Sequence, residues 1–234
     1  MLILCIIPNI NNTLYPEFFP GPFEKGIYGK AIEKEIWDMS VINIRDYTED
    51  KHKTVDDTPY GGGSGMVMRA DVIANSLDKN LETNEKVYYL SPRGKLLNQN
   101  IAKKISNEKC LNILCGHFEG VDQRVLDNRN IEEISIGDYI ISGGETASYI
   151  VLDSVLRLLP GVLGNKDSIV DESFQDGLLE YPQYTKPQIW QENKVPEVLL
   201  SGDHAKIKDW RLSQSEAITR DRRPDLWQKH NKKN

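Results

Sequence analysis

Ser135-Ile-Gly-Asp-Tyr-Ile-Ile-Ser-Gly-Gly-Glu145 gathers three glycines and two acids around a short apolar run, and a helical pattern starts immediately after it. Glycine lets the main chain turn tightly and lets a ligand approach bare N–H and C=O groups. A strand, glycine turn and helix in that order can therefore build a ligand pocket from the backbone. The plainer reading is that the glycines only make turns, with Ile140 and Ile141 buried. Two further glycine-bearing strand ends lie in the same half of the chain, Leu90-Ser-Pro-Arg-Gly94 and Cys115-Gly-His-Phe-Glu-Gly120. Together the three could hold a purine-bearing cofactor without any charged anchor.

Other chemistries lack their residues. Gly61-Gly-Gly-Ser-Gly65 is followed by Met66-Val-Met-Arg69 rather than Gly-Lys-Ser/Thr, so it is no phosphate loop. No G-x-G-x-x-G follows the first strand pattern, and no G-x-S-x-G elbow occurs. Cys110 and Cys115 bracket a strand pattern at an odd spacing, which puts them on opposite faces. His117-Phe-Glu119 has the H-x-E spacing of zinc deaminases without their paired cysteines. These cysteines read as core residues and no metal site is expected. Three cysteines in all, with Cys5 the third, also argue against a disulfide framework.

The elements that must position these residues follow from periodicity. Leu2–Ile7 reads as a buried first strand, too short for a signal peptide. Phe23–Ile36 is a helix pattern weakened by Gly26 and Gly29, and Met39–Arg45 a strand. Asp46–Arg69 is a long polar section of the kind that is functional or disordered. A short helix is expected over Asp71–Leu77. Then strands over Lys86–Ser91, Cys110–Cys115 and Ile134–Ile136 alternate with helices over Asn98–Ser106, Val121–Asn128 and Glu145–Leu159. Tyr139–Ile141 reads as extended. This alternation predicts an α/β domain with a mainly parallel sheet and a ligand at the carboxyl ends of its strands. A linker is expected near 162–175, between a domain over 1–161 and a smaller one over 176–234, with helices at Ala205–Trp210 and Ser213–Arg220.

With 234 residues and an ordinary globular composition, the chain can form a large domain plus a small one. No apolar run approaches the roughly 18 residues that cross a bilayer, which points to a cytoplasmic protein. The formal net charge is −6, yet Asp203–Asn234 holds nine Lys/Arg against five Asp/Glu, leaving about −10 on the remainder. A basic segment on an acidic body is either an electrostatic footprint for RNA or a solvated helical tail.

Seven segments resemble, in order and spacing, the tRNA (guanine-N1)-methyltransferases of the TrmD family in the SPOUT superfamily. They are Thr54–Asp57, Tyr60–Met66, Tyr89–Pro92, Cys115–Gly120, Ser135–Glu145, Pro160–Gly164 and Leu199–Ala205. The resemblance implies a SPOUT-type α/β fold with a deep trefoil knot and a small, mostly helical C-terminal domain. It implies S-adenosylmethionine bound in the knot loops by Tyr89, Leu90, Ser91 and Pro92, by Gly116 and Gly120, and by Ser135, Ile136, Gly137, Asp138, Tyr139, Ile140, Ile141, Gly143 and Gly144. The implied reaction is methylation of N1 of guanosine 37 in tRNA, when another guanosine precedes it. The family works as a homodimer with active sites between subunits, and it depends on Mg²⁺, for which no ligand cluster is legible.

Guanine N1 carries a proton, so the implied chemistry needs a carboxylate base and a cation near O6. The family's arginine falls on Arg157, whose plainer reading is a solvated residue on the last helical turn. Its aspartate stands directly before Ser-Phe, where this chain has Asp171-Glu172-Ser173-Phe174. Glu172 is the positional match and Asp171 has the expected chemistry one residue early. His52, Lys53, Asp56 and Gly65 would shape the guanosine pocket. Lys206, Lys208, Arg211, Arg220, Arg222 and Arg223 would contact phosphates of the anticodon branch; neither a membrane nor DNA is an expected partner. Trp210 would stack on a base or fill the core of the small domain. Other readings are a SPOUT enzyme that methylates another base or a ribose hydroxyl, and a non-catalytic RNA-binding relative.

Overall fold

The computed structural model describes residues 7–82, 84–164, 173–174 and 177–232. The chain divides into two compact units, Met1–Gly164 and Asn165–Asn234.

The first unit is built on a five-stranded, wholly parallel sheet in the order β2-β1-β6-β5-β7. The strands are β1 (Ile7–Thr13), β2 (Trp37–Asn43), β5 (Val87–Leu96), β6 (Leu111–Leu114) and β7 (Ile131–Ser135). A two-stranded ribbon, β3 (Asp56–Asp57) and β4 (Val67–Met68), lies in the long polar section. Five helices complete the unit: α1 (Gly26–Glu33), α2 (Ala70–Asn80), α3 (Gln99–Ile105), α4 (Gln123–Asn128) and α5 (Gly144–Leu156).

Side-chain alternation along the strands feeds two cores, one on each face of the sheet. Tyr88, Leu90, Ile113 and Ile134 join residues of α1, α3 and α5 on one side. Val87, Tyr89 and Leu114 join residues of α2 and α4 on the other. α5 contributes Ala147, Val151, Leu152, Val155 and Leu156 to its core, the spacing of one helical face. Asn98 caps α3 by accepting from the N–H groups of Asn100 and Ile101 at 3.0 and 3.1 Å.

Several expectations are corrected. The first strand runs through Asn9 to Thr13, because Asn11, Asn12 and Thr13 are buried despite their polarity; Leu2–Cys5 lie outside the described residues. The helix expected from Phe23 starts only at Gly26, after a 3-10 turn over Gly21–Glu24. Ser91–Gly94 is no strand end but a bulge within β5, whose pairing with β7 shifts between Leu90 and Lys95. Tyr139–Ile141 form a loop and not a strand, and Ile140 is 82 % exposed. Cys115 is buried as expected, whereas Cys110 is only half-buried.

The second unit holds a ribbon of β8 (Ile189–Trp190) and β9 (Asn193–Lys194), followed by α6 (Glu197–Leu200), α7 (His204–Arg222) and α8 (Pro224–Asn231). The two helices expected over 205–220 are the single helix α7, capped by Asp203, which accepts from the Lys206 N–H at 3.2 Å. Leu179 N–H donates to the Thr219 hydroxyl at 2.8 Å, which ties the incoming chain to α7. No helix among the described residues is long and apolar enough to cross a membrane.

Candidate active site

Three loops meet over one edge of the sheet: the β5 bulge, the segment after β6 and the segment between β7 and α5. They enclose a cavity of about 370 Å³, within the usual range of about 300–1,000 Å³ for ligand pockets. Tyr89, Leu90, Ser91 and Pro92 line it from the first loop, Gly116 and Gly120 from the second. Ser135, Ile136, Gly137, Tyr139, Ile140, Ile141, Gly143 and Gly144 line it from the third. Asp138 is the one residue of the expected set that does not. The wall also includes Arg93, His117, Phe118, Glu119 and Ala147, which were not among the residues expected there. The signal for His117 and Glu119 was their place between Gly116 and Gly120.

The glycines here are required by space. A Cβ on Gly144 would lie 2.6 Å from Cys115 Cα and 2.8 Å from Gly116 N, because the second and third loops run backbone against backbone. The Gly144 N–H donates to the Gly116 carbonyl at 2.9 Å across that contact. A Cβ on Gly116 would lie 2.6 Å from the Tyr89 ring, so the first loop closes on the second just as tightly. Burial pushes the Tyr89 phenol up, so it stays neutral at physiological pH. The pocket thus combines bare main-chain groups, apolar walls and few charges. Such a cradle suits a ligand held by apolar walls and close backbone approach rather than by a phosphate anchor.

The long polar section is fastened to the second loop. Met68 N–H donates to the Gly120 carbonyl at 2.9 Å, and Glu119 N–H to the Met66 carbonyl at 2.9 Å. A groove of about 1010 Å³ runs between Asp57–Asp71 and Glu119–Arg124, and it shares Arg93, Glu119 and Val121 with the first cavity. Gly65, at φ +86°, sits against the Glu119 side chain. Asp56 lies on β3, and His52 and Lys53 are exposed, with Lys53 Nζ 2.9 Å from Asp46. These four stand on the same section without lining the first cavity.

Arg157 caps the C-terminal end of α5, at the opposite end of that helix from Gly144. Thirteen residues at a rise of about 1.5 Å each separate the two ends by roughly 20 Å. Tyr28, on α1, donates to Asp153 beside it, and burial and that bond push the phenol well up while nearby Arg157 pulls it down. Glu172 and Asp171 lie outside the described residues. No group of three or more His, Cys, Asp or Glu side chains among the described residues is placed to hold a metal.

In the second unit, Lys206 pairs with Asp203 at 3.1 Å and Arg223 with Asp225 at 2.6 Å. Arg211 lies over the Tyr181 ring at 4.7 Å, Arg220 lies 5.9 Å from the Trp227 ring centroid, and Lys208 and Arg222 are exposed. Trp210 is half-buried with its ring 6.3 Å from that of Tyr184.

A parallel sheet with glycine loops converging on a pocket at its carboxyl edge defines an α/β ligand-binding domain. The model of one enzyme family, described as tRNA (Guanine-1)-methyltransferase TrmD, matches residues 10–229. The chain belongs to that family. It is 69% identical over 220 residues to a protein of Pelagibacter ubique, covering 94% of this chain and 96% of that one. It is 55% identical over 218 residues to one of Wolbachia pipientis wMel, covering 92% of each. It is 54% identical over 216 residues to one of Brucella canis, covering 92% of this chain and 88% of that one. Each of the three is named tRNA (guanine-N(1)-)-methyltransferase.

Proposed function

We propose that this protein methylates N1 of guanosine 37 in tRNA, where a guanosine precedes it, with S-adenosylmethionine bound in the three-loop pocket. The observation that carries this reading is the meeting of Tyr89–Pro92, Gly116–Gly120 and Ser135–Gly144 around one cavity, where a Cβ on Gly116, Gly143 or Gly144 would lie 2.3–2.6 Å from its neighbours. The trefoil threading implied by the family belongs to the same reading. S-adenosylmethionine supplies an electrophilic methyl whose bond to sulfur breaks with the electron pair going to sulfur.

The chain's own work is to bring the base into line and manage one proton. A linker carboxylate, Glu172 or Asp171, takes the N1 proton as the new N1–carbon bond forms. Arg157 holds the negative charge that deprotonation pushes onto O6. Arg157 stands roughly 15 Å by helix length from Ala147, the last residue of α5 in the pocket wall of its own chain, farther than an arginine side chain spans. It therefore serves the pocket of a second copy, and the active unit is a homodimer with composite sites. Lys208 and Arg222, exposed on α7, hold the RNA backbone.

The deciding assay is methyl transfer to unmodified transcripts bearing guanosine or adenosine at position 37. Methylation of the guanosine transcript alone is expected; equal methylation of both, or of neither, defeats the reading. Glu172→Gln and Asp171→Asn, compared in single-turnover reactions, identify the base as the one whose loss slows transfer at least about tenfold. Mixing inactive Arg157→Ala with a pocket-defective Gly144→Val chain should restore part of the activity through mixed dimers. No recovery would remove the composite site.

A further inference from the structure

A buried pair that the methyl-transfer chemistry does not use joins the second and third loops. Glu145, 2 % exposed, sits in the first turn of α5 behind Gly143 and Gly144. Its Oε2 is 2.7 Å from Nε2 of His117, and its Oε1 accepts from the Thr13 hydroxyl at the end of β1. A carboxylate this deep is costly unless its oxygens are hydrogen-bonded. With a carboxylate oxygen as acceptor, the tautomer that makes this bond carries its hydrogen on Nε2 of His117.

His117 is held on its other sides as well. Tyr15 meets the imidazole edge-on at 4.9 Å between centroids, and the main-chain N–H of His117 points to Met68 Sδ at 3.3 Å. Gly143 leaves room for the pair: a Cβ there would lie 2.8 Å from His117 Nε2 and 2.9 Å from Glu145 Oε2. Its φ of −168° is open to any residue, so glycine stands there for space and not for torsion. The end of β1 and two pocket loops converge on these two side chains. His117 lines the cavity, whereas Glu145 stands behind the wall.

We propose that His117 and Glu145 are positioning residues, a clamp that fixes the spacing of the second and third loops and so sets the affinity for S-adenosylmethionine. The inference rests on the cofactor reading of the pocket given above. Glu145 acts through loop geometry, so its loss weakens binding and leaves the saturated step nearly untouched.

The test titrates S-adenosylmethionine into the full-length protein by calorimetry and measures single-turnover methyl transfer at saturating cofactor. His117→Phe keeps a ring against Tyr15 but has no donor; His117→Gln returns an N–H of similar reach. The Phe variant should bind at least tenfold more weakly. The Gln variant should recover to within threefold of the wild-type affinity. Glu145→Met, which removes both acceptor oxygens behind the wall, should also bind at least tenfold more weakly, with a saturated rate within threefold of wild type. Weakening of less than tenfold in the Phe or Met variant, a Gln variant no tighter than Phe, or a saturated rate in Glu145→Met that falls with affinity overturns the proposal. If His117→Phe does not fold, Glu145→Met decides alone in the same titration. A wild-type protein that binds no S-adenosylmethionine removes the cofactor reading itself, an outcome distinct from wild-type binding that the variants leave unchanged.

Discussion

Gly144 sits where two main chains touch, and a methyl group there must push Cys115 Cα or Gly116 N aside. Overpacking of this kind costs about 1–3 kcal/mol. Gly144→Ala should therefore lower the thermal midpoint and weaken cofactor binding at least tenfold, read by melting and calorimetry on the same sample. Cys115 gives a second prediction at this scale. Its full burial, with the nearby Glu145 carboxylate, pushes the thiol well up. A thiol reagent at pH 8 should label half-buried Cys110 and leave Cys115 unlabelled until the protein unfolds. Single residues were partly legible from spacing. The glycines announced a close backbone approach, but which backbone approached which is a tertiary fact. His117 was set aside as a metal ligand for sound reasons, and its actual partner lies 28 positions away.

Among the elements, α5 was legible because its apolar face repeats at helical spacing. α7 was not: it is polar on most sides, so its 19 residues read as two shorter pieces. The stretch of β1 beyond Ile7 was missed because Asn11, Asn12 and Thr13 hide a buried strand behind polar letters. The β5 bulge was invisible, since Pro92 and Gly94 look like the end of a strand rather than a detour within one. That detour needs Gly94, where a Cβ would press on the Glu133 main chain at its carbonyl oxygen, 2.6 Å away. Gly94→Val should flatten or break the bulge and lose cofactor binding, with hydrogen exchange quickening along Lys95–Leu96. At the start of α8, the Arg223 hydrogen bond beside Asp225 holds that carboxyl down at about 2. The folded value lies below the ordinary value of about 3.9. The helix end is thus stabilised above that ordinary value and loses the contribution as pH falls through about 2. An NMR titration should find that midpoint in the native protein, and Arg223→Met should raise it towards the ordinary value.

At the scale of the whole molecule, charge is divided along the chain, with a net excess of four positive charges over residues 203–234 against an acidic remainder. If that segment meets RNA, affinity must fall steeply with salt while cofactor binding barely responds. Lys208→Glu with Arg222→Glu should weaken tRNA binding about tenfold or more at moderate salt and leave calorimetric cofactor affinity within twofold. Equal tRNA affinity in the double variant would remove the electrostatic footprint. Composition alone pointed the other way, because a net charge of −6 conceals the segregation.

A pocket held largely by its main chain has little vocabulary for change. Where Gly116, Gly143 and Gly144 meet neighbours too close to admit a Cβ, the substitutions that would repel a competitive inhibitor also spoil the native ligand's seat. Under selection by such an inhibitor, escape variants should arise at the rim, at Ile140 or Tyr139, or by raised expression. The walls themselves should stay as they are.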